Sequence, residues 1–492
     1  MRRLVLVLAF AGLGGCMVGP NYRQPKLETP PAFGEVGRTP DASGEAADLS
    51  QWWRQLGDPV LDSLIDRALA QNLDVKTAAS RLREARQQIV VARAALFPDA
   101  SASGIAVRRD AQTALGGAPP AATAGTTGAA PGAPAAASTA GGLSLPKHLD
   151  VYSLGVDATW EIDIFGGTRR GIESAEAQAD AAHWQVRDAQ VALSAEVAKA
   201  YMTLRLAQAR RAQADADVAR ISDLMSLVAA RSKSGVVTEL DVNQQRQALQ
   251  ARRAEIPQLD QQARGAIHAL SVLLAQPPTA LDAELSPAKG LPPAPTSLPV
   301  GLPSELLQRR PDVRAAERSL ASASAQIGVA TADLYPKLDL LGLASFASRD
   351  LSSLLSSRNF STIGVADGSW TLFDAGRGRA NVKAKREEAA QAELAYRKAW
   401  LSALQDVEDA LTAYAADHER QTRYAEDLKT SQDSATLADA RYRAGLTPFI
   451  DVLQAQGSIT QANDQLLQAQ GAVIGDLVSL YTALGGGWSP QA

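Results

Sequence analysis

Residues 152–164, YSLGVDATWEIDI, alternate apolar and polar side chains without an error. Tyr152, Leu154, Val156, Ala158, Trp160, Ile162 and Ile164 hold the even positions. Ser153, Gly155, Asp157, Thr159, Glu161 and Asp163 hold the odd ones. A strand turns successive side chains to opposite faces, so this run has one apolar face and one polar, acidic face. About 9–11 tilted residues cross the hydrocarbon of a membrane, and the run is long enough. A soluble sandwich could use the same alternation, but an acidic second face suits a watery lumen. Phe165-Gly166-Gly167 then breaks the strand, and a very long helical pattern begins.

The device recurs at 362–379, TIGVADGSWTLFDAGRGR. Ile363 and Val365 face one way, whereas Trp370 and Leu372 continue the apolar face on even numbers. A β-bulge near 366–368 would produce that switch. The copies extend further. Leu73-Asp74-Val75 matches Pro311-Asp312-Val313, and Leu96-Phe97-Pro98 matches Leu334-Tyr335-Pro336, both offset by 238. Trp160 matches Trp370, Gly235 matches Gly445, and Asp241-Val242 matches Asp451-Val452, all offset by 210. The difference, 238 − 210 = 28, is an insertion between Pro98 and Gly155. Residues 111–145 are almost wholly Ala, Gly, Pro, Ser and Thr, the composition of a long flexible loop.

The expected organisation follows from this duplication. Residues 1–15 form a signal peptide and 16–56 an extended segment laid along the surface. The first repeat is 57–276: a helix, strands 99–109 and 151–165, a long helix 172–233 and a return helix 238–276. A linker with seven prolines spans 277–302. The second repeat is 303–484: a helix, strands 337–348 and 361–374, a long helix 379–443 and a return helix 448–484. Residues 485–492 are a tail. The first helix carries Leu61, Leu64, Ile65, Ala68 and Leu69 on one face, with a break at Asn72. Leu338, Leu340, Ala344 and Phe346 share one face of a strand. The 62 residues from 172 to 233 contain no Pro and make a helix of roughly 93 Å. The last helix has a seam of Phe449, Val452, Gln456, Ile459, Asn463, Leu466, Gln470, Val473, Leu477, Leu480 and Leu484.

Four strands cannot close a barrel, and an open edge in lipid leaves backbone groups unpaired. Three chains would supply 4 × 3 = 12 strands, an even number within the known range of about 8 to 26. The start of the chain reads as a processing signal. Arg2 and Arg3 precede a short apolar core, then Leu13-Gly14-Gly15-Cys16. Ten apolar residues are too few to span a bilayer. Cys16 is the chain's single cysteine, so internal disulfides are excluded. The net charge of −4 gives no case for nucleic acid.

Several motifs together carry a resemblance. They are Cys16 followed by Gly19-Pro20-Asn21-Tyr22, the stretch 160–166, Leu334-Tyr335-Pro336, Arg441-Tyr442-Arg443-Ala444-Gly445, and Ala483-Leu484-Gly485-Gly486-Gly487-Trp488. The chain resembles the TolC-type outer-membrane factors, in the lipoprotein branch similar to OprM, over essentially all of its mature length. The resemblance implies a mixed fold, a trimeric membrane β-barrel of twelve strands continued by a long α-helical barrel in the periplasm. It implies a Cys16 lipid anchor, and Met17 after it favours the outer membrane. The implied partners are two further copies, a periplasmic adaptor, an inner-membrane pump of the proton-driven RND type and outer-membrane lipid. The implied role is a passive exit duct for drugs or metal ions. The alternatives are a duct for protein or peptide secretion beside an ATP-driven transporter, and a coiled-coil lipoprotein that transports nothing.

The candidate site lies at the two helical turns. Gly235 and Gly445 read as left-handed caps, and Thr238 and Thr447 as N-caps of the return helices, all four available to an adaptor. By resemblance, Asp451 stands where such channels place an inward carboxylate ring, and Ile450 where the OprM-like members place an apolar constriction. Asp241 and Tyr442 match residues that tie closed helices together. Thr447 and Gln454 depart from the family pattern, so the lock differs in detail.

No reaction chemistry stands out. The glycines at 166–171 follow a strand that alternates, whereas a buried nucleotide-binding strand is apolar on both faces. The four histidines, 148, 183, 268 and 418, lack metal-ligand spacing. Lys383–Arg386 reads as a solvated helix face. The expectation is a conduit, not an enzyme, with no cofactor and no metal.

Overall fold

The computed structural model describes residues 17–40, 42–43, 49–110, 148–235, 237–295, 298–301, 303–304 and 309–488. Cys16 and the 111–145 loop lie outside them. The chain divides into two compact units, and both halves of the sequence contribute to each.

The smaller unit takes residues 90–170 and 328–380 together with 17–19. Its sheet has four strands: β1 Asp99–Asp110, β2 His148–Glu161, β3 Lys337–Ser348 and β4 Phe360–Ser369. They are ordered β1-β2-β3-β4 and all neighbours are antiparallel, so β1 and β4 are free edges. Directly paired residues share a face. Trp160 pairs with Leu340, and Leu154 with Phe346. Phe346 meets the Phe360 ring at 5.1 Å. This even face stays open in one chain: Val156 is 52% exposed and Phe360 49%. The other face carries Asp157, which accepts from Ser101 Oγ at 2.9 Å, and Glu161 opposite Asp339.

Two expectations fail here. No bulge occurs, because Lys337 to Phe346 pair one-for-one with Ser369 to Phe360. Ile363 and Val365 therefore lie on the face of Asp157 and Glu161. The strand also ends at Ser369, before Trp370, and β2 ends at Glu161. Trp370 looks like a strand residue for another reason. Its Nε1 donates to Leu334 O at 3.1 Å, as Trp160 Nε1 donates to Leu96 O at 3.0 Å. Each indole satisfies a carbonyl left free where a helix stops before a proline.

Below each hairpin a carboxylate opens the next helix. Asp163 accepts from the Arg169 N–H at 3.0 Å, and Asp374 from Gly376 N–H at 2.9 Å and Gly378 N–H at 2.6 Å. These are side-chain caps. The first junction also holds the N-terminal segment. The buried Arg170 donates from Nε to Val18 O at 3.1 Å and from Nη2 to Gly19 O at 3.3 Å. Val18 N donates to Phe165 O at 3.1 Å, and Met17 packs on Gly166, where φ is +80° and a Cβ would collide.

The larger unit is helical. Its elements are α1 Pro59–Gln71, α2 Leu73–Ala94, α3 Gly167–Lys233, α4 Glu239–Leu273, α5 Pro311–Ala332, α6 Arg377–Arg443 and α7 Phe449–Ala483. The duplication is visible in their lengths: α2 and α5 have 22 residues each, α3 and α6 67, α4 and α7 35. At 1.5 Å per residue a 67-residue helix runs about 100 Å. The buried Asn72 makes the break between α1 and α2. Its Oδ1 accepts from Asp74 and Val75 N–H while its Nδ2 donates to Leu273 O. No described helix is long and apolar enough to cross a membrane.

The core of this unit corrects two further readings. Trp52 and Trp53 are 1% exposed, with Trp52 stacked on Tyr481 at 5.4 Å. The segment before α1 thus ends inside the core and is not merely laid on it. In α7 the ends of the expected seam, Phe449, Val452, Val473 and Leu477, are buried. Its middle is carried by Ala462 and Ala469 instead of Ile459, Asn463, Leu466 and Gln470. Small residues there bring the helices close enough for Arg210 of α3 to pair with Asp464 at 2.6 Å.

Candidate functional site

The two turns have the same backbone and different caps. Gly235 and Gly445 have φ of +74° and +73°, the left-handed conformation that ends a helix cheaply only with glycine. Leu446 N donates back to Arg441 O at 2.9 Å, closing the second long helix. Thr238 caps α4 in a reciprocal box. Its Oγ1 accepts from Asp241 N–H at 3.3 Å, and Asp241 Oδ2 accepts from Thr238 N–H at 2.9 Å. Asp241 Oδ2 also accepts from Thr238 Oγ1 at 2.8 Å.

Thr447 does not do the same. The N-cap of α7 is Pro448, which makes no side-chain cap bond. Thr447 Oγ1 is buried without a hydrogen-bond partner among the described residues. This frees Asp451, the repeat equivalent of Asp241. Its carboxylate makes no hydrogen bond or ion pair among the described residues, whereas that of Asp241 is held locally. Of two equivalent acids, only one is left to act on something else.

The turns are pinned by a small core of their own. Val228, Val242, Phe449 and Val452 are buried together, with Tyr442 and Leu453 against them. The Tyr442 ring lies 5.4 Å from Phe449, and the Arg231 guanidinium sits 5.1 Å from the Tyr442 ring centre. Tyr442 Oη has no hydrogen-bond partner among the described residues. No hydrogen bond from Tyr442 to Asp241 is made within the chain, where Asp241 Oδ2 is engaged in its capping box. Ile450 is half-buried beside Phe449. Leu240 and Leu446, one at each turn, are 65% and 70% exposed.

Higher up, a buried ion network joins α3 to α4. Arg252 pairs with Asp217 at 2.9 Å, and Arg220 reaches Asp217 at 2.9 Å and Thr460 Oγ1 at 3.1 Å. Sequence reasoning missed it. Its only signal was an Arg and an Asp within two long helical patterns. No cluster that could hold a metal occurs among the described residues.

Comparison with known proteins places this architecture. The family described as "Outer membrane efflux protein" matches residues 64–276 and 302–486. The pyoverdine export outer membrane protein OpmQ of Pseudomonas aeruginosa is 32% identical over 492 residues, covering 99% of this chain and 97% of its own. The solved outer-membrane channel OprN superposes with a TM-score of 0.84 at 33% identity, covering 96% of this chain and 100% of that one. The open state of the MtrE outer membrane channel of Neisseria gonorrhoeae gives 0.80 at 26% identity, covering 96% and 99%. An exposed apolar sheet face, duplicated long helices and matches over nearly the whole chain lead to one assignment: the chain belongs to the outer membrane efflux protein family and is an outer-membrane efflux channel.

Proposed function

We propose that three copies of this chain assemble into the exit duct of a tripartite efflux pump for small molecules, anchored in the outer membrane through lipid on Cys16. The observation that carries this reading is the open sheet, with an exposed apolar face and two free edges, β1 and β4. Unpaired strand edges do not persist in hydrocarbon, so other copies must close it. The helices support the same count. In α5, Val313, Leu320 and Ile327 are buried. Their repeat equivalents in α2 are Val75, Leu82 and Ile89, of which only Val75 is buried. A second copy would cover the rest.

In this reading the turns at Gly235, Thr238, Gly445 and Thr447 meet a periplasmic adaptor, with Leu240 and Leu446 as apolar contacts. Asp451 and Ile450 line the periplasmic constriction. Tyr442 acts there through Phe449 and Arg231, and Asp241 by holding the first turn. An inner-membrane pump of the proton-driven type supplies the energy. The test is export. A strain lacking the gene should accumulate a fluorescent cationic dye, and the full chain should restore efflux. Mass measurement of the detergent-extracted particle should give three chains. Unchanged dye accumulation, with a secreted protein retained instead, would support the protein-secretion reading.

A further inference from the structure

The register of the sheet places an apolar block where a channel lining should be polar. Leu341 pairs with Val365, and Leu343 with Ile363, on adjacent strands β3 and β4. The same rows continue onto β2, where Leu341 faces Thr159 and Leu343 faces Asp157. The four aliphatic side chains therefore stand on the face of Asp157 and Glu161. Cross-strand neighbours are about 5 Å apart and same-face residues along a strand about 7 Å, so the four form one contiguous patch. Leu341, Ile363 and Val365 are 42%, 55% and 45% exposed.

Carboxylates border the patch. The next row toward the helices holds Glu161, Asp339 and Asp367, each directly opposite its neighbour. Lys337 Nζ partly offsets the first, at 3.6 Å from Glu161, and is shared with Asp333 at 3.2 Å. Asp339 and Asp367 make no ion pair among the described residues. The row on the other side is neutral, with Ser345 and Ser361 hydroxyls 3.3 Å apart. An aliphatic floor with negative charge on two sides complements one ligand chemistry: an apolar body bearing a positive charge.

We infer that Leu341, Leu343, Ile363 and Val365, with Asp157, Asp339 and Asp367, form a binding site for amphiphilic cations inside the sheet's polar lumen. The inference rests on the exit-duct reading, in which the acidic face lines the lumen, and it names the substrate class that dwells there. Neither element suffices alone. A carboxylate row attracts any cation, and an aliphatic patch any apolar solute.

The test is block of single-channel current in planar bilayers by tetraphenylphosphonium, with tetramethylammonium as a hydrophilic cation of equal charge. Tetraphenylphosphonium should block at far lower concentration. Ile363→Thr with Leu341→Thr should weaken that block about tenfold, as expected for removing roughly two methylenes of contact, and leave tetramethylammonium unaffected. Asp339→Asn with Asp367→Asn should weaken both, more at low salt than at high salt. Ile363→Cys in a Cys16-lipidated channel adds an independent check. A membrane-impermeant maleimide should modify it, and tetraphenylphosphonium should slow the reaction. Equal block by the two cations, or block unaltered by the threonine variants, overturns the site while the duct stands. A chain that carries no current overturns the duct itself, and the site with it.

Discussion

Removing the Phe449 ring should loosen the turn without touching the main core. Phe449 is 3% exposed at the first position of α7, packed with Val228, Val242 and Val452 and against the Tyr442 ring. Phe→Ala in a full core costs about 3–5 kcal/mol. This cluster has only four buried members and lies beside exposed turns, so it can collapse around the gap. The lower end, about 3 kcal/mol, is therefore expected. The loss falls on local opening, because the large core around Leu477 and Trp400 forms a separate cluster. At 1.4 kcal/mol per decade, amide exchange in the first turns of α7 and α4 should quicken about 100-fold in Phe449→Ala. Exchange at 473–481 should not change. Hydrogen exchange with mass spectrometry on the full chain in detergent measures both, and Phe449→Leu should restore most of the protection. Uniform acceleration along α7, or none at the turn, would refute the idea that this cluster pins it.

Other outcomes follow from single contacts. Thr238→Ala should cost about 1 kcal/mol through its capping box, whereas Thr447→Ala should be neutral or stabilising, since its hydroxyl bonds to nothing described; thermal melts of the two variants decide. Asp476 is pushed up to about 6 by burial and then by the facing Asp417. Its folded pKa lies above the ordinary value of 3.8, so a destabilising charge is present above pH 6 and is relieved as pH falls from 6 toward 4. Asp476→Asn should raise Tm at pH 7 and abolish the gain in Tm expected of the unaltered chain as pH falls from 6 toward 4. Arg170→Ala should release the Val18 and Gly19 carbonyls and expose 17–30 to limited proteolysis, with the sheet intact.

Much of the fold was legible because its signals are periodic. The alternation at 152–164 is uninterrupted and registers as a strand without help. Both strands of the second hairpin were legible too, but the register of the last was not, since Thr362, Gly364, Ala366 and Gly368 give its even face no apolar signal. Ile363 and Val365 then suggested a bulge that continuous pairing removes. At the site, glycine punctuation located both turns. What the sequence could not reveal was which acid was already committed. Thr238 and Thr447 occupy similar positions, yet Pro448 takes the cap of α7 and leaves Asp451 free. Within one chain Asp241 is held by its own capping box, and Tyr442 Oη bonds to nothing described. Buried pairs such as Arg252–Asp217 join residues 252 − 217 = 35 positions apart in sequence and leave no local trace.

The central claim is that this chain forms a gated pore across the outer membrane, and single-channel recording tests it most directly. Purified full-length protein in a planar bilayer should give uniform conductance steps. Phe449→Ala should enlarge them, and Asp451→Ala should weaken block by divalent cations added at the turn end. Inserted protein that passes no current, in the unaltered chain and in Phe449→Ala alike, would contradict the account.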